Sequence, residues 1–249
     1  MRRFFVTDPD AGQLPGHEAH HCAVVLRAEP GDRVNLFDGR GTEILATLTH
    51  VSPQKVTYRI DSRHRTLRPP GTLTLIQALP KNKSMDLIIQ KATELGVTRI
   101  QPLLSERSVV RLNDQEAETK LEKWRQITIE SAKQCGQNWL PEVLPARQAR
   151  EFFQHRPAHH AAFIGSLQPG ARTFRHWLAD ITAQLGRPPA DLAICIGPEG
   201  DFSPAEMASA NSAGYLPVTL GPIILRSETA AIYSLSVLNY ELQNSHMPA

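Results

Sequence analysis

The hydrophobic pattern of this chain changes period once, near residue 70. Before that point apolar residues come in short runs. Phe4-Phe5-Val6, Val34-Asn35-Leu36-Phe37, Thr42 to Leu48 and Val56 to Ile60 each read as a strand. Asp38-Gly39-Arg40-Gly41 is a hairpin signal, and Pro30-Gly31-Asp32 a turn. A single helix is expected over His17 to Arg27. Several short strands in so little chain suggest a small barrel. Pro69-Pro70-Gly71 then marks a boundary between a β-rich domain, 1–70, and a second domain, 71–249.

In the second domain strands and helices alternate. Leu73 to Leu79, Arg99 to Leu104, Ala161 to Ile164, Leu192 to Ile196 and Leu216 to Leu220 are apolar runs of strand length. Met85, Ile88, Ile89, Ala92 and Leu95 fall on one face of a helix that Ser84 can cap and Gly96 ends. Further helices are expected over Glu116 to Cys135, with Leu121, Trp124 and Ile127 inward, and around Phe174 to Leu185. Ser203-Pro204-Ala205-Glu206 carries three agreeing helix-start signals, and Gly214 can end what it starts. A last helix from about Glu228 places Ile232, Leu235, Leu238 and Leu242 on one face. This alternation argues for an α/β domain with a parallel sheet.

Two of its apolar runs break in the same way. Ile194-Cys195-Ile196 meets Gly197-Pro198-Glu199-Gly200, and Val218-Thr219-Leu220 meets Gly221-Pro222. Ligands of α/β proteins bind where strands end. Glycine lets a ligand approach the main chain, while proline stiffens the loop and removes a donor. A phosphate cradle needs many free N–H groups, so these corners favour a neutral or cationic ligand. Arg226 follows Ile224-Leu225, an apolar setting in which a guanidinium needs an anionic or carbonyl partner.

Composition narrows the choice. The chain has 249 residues, of which 41% are apolar and 21% charged, as in ordinary globular proteins. No apolar run approaches the roughly 20 residues of a membrane span, and the start is too short in apolar residues for a secretory signal. A cytoplasmic protein is expected. Cys22, Cys135 and Cys195 are scattered, which argues against a disulfide framework and a zinc site. Cys195 reads as a buried, inert thiol. The adjacent pairs His20-His21 and His159-His160 point apart and read as surface or partly packed residues, so no metal is expected. The common nucleotide-binding glycine motifs are missing. The net charge is only +2, but Ser62 to Met85 carries Arg63, His64, Arg65, Arg68, Lys81 and Lys83 with no acid. Such a run suits a phosphate backbone or a solvated linker about equally.

Ile196-Gly197-Pro198-Glu199-Gly200 together with Leu220-Gly221-Pro222-Ile223-Ile224-Leu225-Arg226-Ser227-Glu228-Thr229-Ala230 resembles the signature of SPOUT-superfamily RNA methyltransferases. More narrowly, the chain resembles the 16S ribosomal RNA uridine N3-methyltransferases. Arg27 with Pro30-Gly31-Asp32 and Phe37-Asp38-Gly39 is similar to that family's amino-terminal domain. Lys83-Ser84-Met85, Ile89 to Val97, Ser105 to Val110 and Gln134-Cys135-Gly136 are similar to further stretches. The resemblance is weakest between about 145 and 190.

The resemblance implies a PUA-like β-barrel followed by a parallel-sheet domain tied in a trefoil knot, a homodimer, and S-adenosylmethionine as cofactor. It implies a donor pocket of Leu79, Ile196, Gly197, Pro198, Glu199, Gly200, Leu220, Gly221, Ile224 and Leu225. Arg226 would stabilise charge on the base, and Glu228 or Glu199 would take a proton, with Glu228 preferred. Arg2, Arg3, Arg27, Arg63, Arg65, Arg68, Lys81, Lys83 and Arg107 would bind RNA. The implied activity is methylation of uridine N3 in 16S ribosomal RNA of the small subunit. A ribose 2′-O-methyltransferase and a non-catalytic ribosome-assembly protein are the competing readings. Three positions depart from the family pattern. Asp201 stands where a second glycine is usual and reads as the start of the turn into Ser203. Gln137 replaces an arginine, a loss that would weaken a contact to RNA unless Lys133, which replaces a glutamate, compensates.

Overall fold

The computed structural model describes residues 1–81, 84–108 and 112–244. The chain divides into two compact units, one of Met1–Arg68 with Ile129–Leu140, the other of Pro69–Thr128 with Pro141–Ala249.

In the first unit, period-two alternation builds a four-stranded sheet. Strand β1 (Arg3–Phe5) pairs in parallel with β2 (Arg33–Phe37), which pairs antiparallel with β3 (Thr42–Val51), and β3 with β4 (Val56–Arg65). Val34, Leu36, Ile44, Ala46, Leu48 and Val56 point to one face and are buried with Phe4, Leu14 and Cys22. Between β1 and β2 lies α1 (Gly16–His20), which continues as a π turn over His21–Val25. The expected single helix over His17 to Arg27 thus changes register at His21, and Arg27 stops it with φ 48°. The expected barrel is an open ladder among the described residues: the free edge of β4 is continued by the segment 12–14, through Leu14 N–H to Val56 O at 2.9 Å and Tyr58 N–H to Gly12 O at 3.1 Å. Strand β4 also runs past Ile60 to Arg65, because a register shift between Leu45 and Ala46 restores pairing with β3.

Lys133 is held inside the first unit by acidic partners. Its ammonium donates to both oxygens of Glu18, at 2.9 and 3.1 Å, and to Glu130 at 3.2 Å. Glu18 is fully buried, and a buried carboxylate without a partner would cost several kcal/mol, so the lysine is held inward.

The second unit is a parallel sheet in the order β11-β9-β10-β5-β6-β7. Its strands are β5 (Thr72–Ala78), β6 (Arg99–Leu104), β7 (Glu142–Val143), β8 (Arg147–Gln148), β9 (Ala161–Gly165), β10 (Asp191–Ile196) and β11 (Leu216–Val218), with β8 pairing the far end of β6. Alternate residues of each central strand enter opposite layers. Leu73, Leu75, Leu192, Ile194 and Ile196 pack with helices α2 (Ser84–Glu94), α3 (Asp114–Cys135), α5 (Phe174–Leu185) and α7 (Ser227–Asn244). Ile76, Ala78, Ala193 and Cys195 pack with α4 (Ala149–Gln154) and α6 (Pro204–Ser212). Burial on both faces explains why these strands read as unbroken apolar runs.

Strands β7 and β8 and helix α4 were not expected from the sequence, since each is too short to show a period. The expected strand Leu216 to Leu220 stops at Val218, and Thr219 turns out to bond Arg172 O at 3.1 Å. Among the described residues no helix is long and apolar enough to cross a membrane.

Candidate functional site

Strands β9, β10 and β11 lie in register, Cys195 beside Ile164 and Val218 beside Gly165, so their carboxyl ends open on one edge of the sheet. The loops leaving that edge enclose a cavity of about 300 Å³ with mostly apolar walls. The β10 loop contributes Ile196, Gly197, Pro198, Glu199 and Asp201, and the loop after β11 contributes Leu220, Gly221, Ile223, Ile224, Leu225 and Arg226. The first turn of α7 closes it with Ser227 and Ala230. The two Gly-Pro corners therefore meet at one place, as their repetition suggested.

A third corner completes the wall. Gly165, Ser166 and Leu167 leave β9, with Ser166 N–H bonded to Val218 O at 2.9 Å. Sequence reasoning missed it, although an apolar strand broken by glycine was the same signal used for the other two. Gly221 takes φ 119°, a conformation that side chains avoid, and no atom lies within 4 Å of where a Cβ would stand. Glycine is required there by the backbone.

The loops are held from behind by a buried hydrogen-bonded chain. Gln77, at the end of β5 and fully buried, donates from Nε2 to Ser227 Oγ at 3.0 Å and to Ala78 O at 2.8 Å. Ser227 in turn donates to Gly197 O at 2.8 Å. One serine thus joins the start of α7 to the β10 corner, and Gln77 fixes which way its hydroxyl points. Gln77 Oε1 is buried with no partner among the described residues. Neither residue was a site candidate from sequence.

Asp201 sits in the left-handed region at φ 59°, a conformation that glycine adopts without steric cost. Aspartate tolerates that region because its short carboxylate can bond the local backbone, and here Oδ1 accepts from Phe202 N–H at 2.7 Å. Two residues on, Ser203 and Glu206 form a reciprocal capping box on α6. The second oxygen of the buried Glu206 carboxylate accepts from Glu106 N–H at 2.8 Å, tying the β6 loop to α6.

Leu79, Gly200 and Glu228 do not line the cavity. Leu79 is buried and its carbonyl accepts from Ser108. Gly200 O accepts from Arg107 at 3.1 Å. Glu228 stands in the first turn of α7, one residue past Ser227. Glu199 lines the cavity, its carboxylate accepting from Lys81 N–H at 3.0 and 3.2 Å. The Arg226 guanidinium is exposed and forms no ion pair among the described residues.

The basic residues sort by partner. Arg2 pairs with Asp32 and Leu26 O, and Arg63 with Asp10. Arg3 is held by Glu43 at 2.7 Å, Gln137 O at 2.9 Å and Asn138, and burial pulls its guanidinium below the usual value against the opposing pull of Glu43. All three are paired with carboxylates within the first unit. Arg27, Arg65 and Arg68 are exposed and form no ion pair among the described residues. In the second unit Lys81 and Arg107 are exposed. Lys83 lies outside the described residues, as do Val109 and Val110 of the family-like stretch. Among the described residues no three His, Cys, Asp or Glu side chains gather to hold a metal. Cys195 is buried as expected, its thiol pushed well up by burial and then by Glu206 and Asp201. His159 is partly packed, as one of the two readings had it: its imidazole is covered and bonds Asp191 at 3.0 Å, at the amino end of β10, remote in register from the cavity.

Comparison with known proteins agrees with this geometry. Residues 68–239 match the RNA methyltransferase domain, and residues 14–61 match the RNA methyltransferase PUA domain. Ribosomal RNA small subunit methyltransferase E of Bacillus subtilis is 30% identical over 251 residues, covering 98% of each chain. The Neisseria gonorrhoeae ribosomal RNA small subunit methyltransferase E, crystallised bound to S-adenosylmethionine, is 33% identical with a TM-score of 0.83, over 96% of this chain and 97% of that one. A Legionella pneumophila methyltransferase crystallised with bound S-adenosylmethionine is 34% identical with a TM-score of 0.87, also over 96% and 97%. A domain match over most of the chain and full-length relatives at this identity mean that the chain belongs to the RNA methyltransferase family that includes ribosomal RNA small subunit methyltransferase E.

Proposed function

We propose that this protein methylates N3 of a uridine in 16S ribosomal RNA of the small subunit, using S-adenosylmethionine. The observation that carries the reading is the three-cornered cavity with Arg226 at its wall, in a chain that matches small-subunit methyltransferases end to end. The cavity fits the cofactor: its walls are apolar, its corners offer main chain, and the carboxylates of Glu199 and Asp201 suit a ligand bearing cationic groups. The cofactor supplies an electrophilic methyl group on a sulfonium.

Uracil N3–H is a weak acid, and its nitrogen becomes a good nucleophile once deprotonated. Arg226 is proposed to stabilise the negative charge that spreads onto the base carbonyl oxygens. Glu199 is engaged by the Lys81 amide, so Glu228 is the proposed proton acceptor. Ser227 and Gln77 hold the two loops at a fixed spacing, and positioning of this kind contributes much of a transfer rate. Leu79 and Gly200 are proposed to support the cofactor corners.

The loops of β9, β10 and β11 are proposed to thread as a SPOUT trefoil knot. A second copy is proposed to cover the apolar mouth, where Leu167, Ile223 and Ile224 are 64%, 69% and 80% exposed. The protein is proposed to act in the cytoplasm, where its RNA substrate is found. The direct test is transfer of labelled methyl from S-adenosylmethionine to small-subunit RNA, free and assembled, followed by mass analysis of the digested nucleosides. N3-methyluridine is expected. A 2′-O-methyl nucleoside would overturn the site of methylation, and RNA binding with no donor affinity would overturn the enzyme reading.

A further inference from the structure

Among the exposed cations of the first unit, two share one aromatic partner from a distant part of the chain. The Arg68 guanidinium lies over the Trp139 ring at 5.0 Å from its centroid, and that of Arg65 at 5.7 Å. The indole is locked in place. Its Nε1–H donates to Thr66 O and Leu67 O, both at 3.2 Å, and the neighbouring Asn138 bonds Thr66 Oγ1 at 2.7 Å. Gly41 packs so closely against it that a Cβ there would stand 2.5 Å from a ring carbon. Arg65 is steadied further by Thr42 Oγ1 at 3.2 Å. The nearby carboxylate of Asp38 is engaged with the amides of Arg40 and Thr42. Arg40 and Leu67 border the patch and are exposed.

The geometry points to a seat for an unpaired RNA base at Arg65, Arg68 and Trp139, an inference that rests on the RNA-methylating reading above. A carboxylate pairs with Arg2, Arg3 and Arg63, whereas Arg65 and Arg68 form no ion pair among the described residues and lie over an aromatic ring, Arg65 with the already engaged Asp38 nearby. A guanidinium placed over an indole can offer a base its other side for stacking while bonding the adjacent phosphate. Pre-organisation lowers the cost of ordering those side chains on binding. A base within a duplex has no free face, so the seat selects single strands or loops. The sequence reading treated Arg65 and Arg68 as phosphate contacts alone and left Trp139 unassigned.

Fluorescence titration of the full chain with a short oligouridine tests this. Binding is expected to quench emission in the wild-type protein and not in Trp139→Phe. The double variant Arg65→Ala, Arg68→Ala should bind about tenfold more weakly. The double lysine variant, which keeps charge without the plane, should recover less than half of that loss. Full recovery by lysine, equal affinity for a duplex or for inorganic polyphosphate, or binding without quenching would each overturn the seat. Methyl transfer measured alongside separates the two readings. An unchanged KM for RNA in the double alanine variant removes the seat and leaves the enzyme reading intact. Quenching in a protein that neither binds the donor nor transfers methyl removes the enzyme reading instead.

Discussion

Asp201 occupies a backbone conformation that costs an ordinary L-residue about 1–2 kcal/mol. Its bond to Phe202 N–H offsets part of that cost. Asp201→Gly removes both the strain and the bond and should leave stability within about 1 kcal/mol of wild type. Asp201→Ala keeps the Cβ, loses the bond, and should cost about 1–2 kcal/mol. Urea midpoints of the two variants decide it; an alanine variant as stable as the glycine one would contradict the argument. At Arg226 the expected effect is chemical. The side chain is exposed and forms no ion pair or side-chain hydrogen bond among the described residues, so Arg226→Ala should keep donor affinity within about threefold, about 0.7 kcal/mol. Turnover should fall by about a hundredfold or more, the usual loss when one donor to a developing oxyanion is removed. Calorimetric donor binding and labelled-methyl transfer read the two separately, and near-normal turnover would remove Arg226 from its role.

At the scale of elements, the cavity depends on how loops are tied to helices. Helix α6 begins with the Ser203–Glu206 capping box, visible in the sequence as Ser-Pro-Ala-Glu. The sequence could not show that the same Glu206 carboxylate also accepts from Glu106 N–H in the β6 loop. Ser203→Ala removes one cap and should cost about 1 kcal/mol. Glu206→Ala leaves two amides without their acceptor and should cost about 3 kcal/mol. Denaturant unfolding of the two variants measures the difference. Equal losses would mean that the link to the β6 loop contributes nothing. The Gln77–Ser227–Gly197 chain has the same logic, joining β5, α7 and β10 through one hydroxyl.

At the scale of the whole molecule, each unit contains a thiol sealed in its own core. Cys22 lies in the first unit and Cys195 in the second, and burial raises both thiols. Cys135 is exposed. Maleimide labelling followed by mass spectrometry should therefore modify Cys135 at once in the native protein. Cys22 and Cys195 should react only as the unit containing each one opens, with separate denaturant dependence if the units unfold separately. Prompt labelling of Cys195 would contradict the packing of β10 between its two helical layers.

The parallel sheet was legible because strands buried on both faces leave unbroken apolar runs, and because caps such as Ser203 and stops such as Gly96 act locally. The Gly-Pro corners were legible for the same reason: backbone freedom and its loss are properties of single residues. Convergence was not. Gly165 reaches the cavity only because β9 lies beside β10 in register. Gln77 matters only because the fold brings it to Ser227, and Trp139 only because it packs on Gly41 and under Arg68. Lys133 shows the converse, a charge that the sequence offers to a ligand and the fold commits to a buried glutamate. Local sequence determined where the chain turns and which side chains face inward. Long-range packing decided which charges are neutralised and which remain for a ligand, because pairing depends on distances that spacing along the chain does not set.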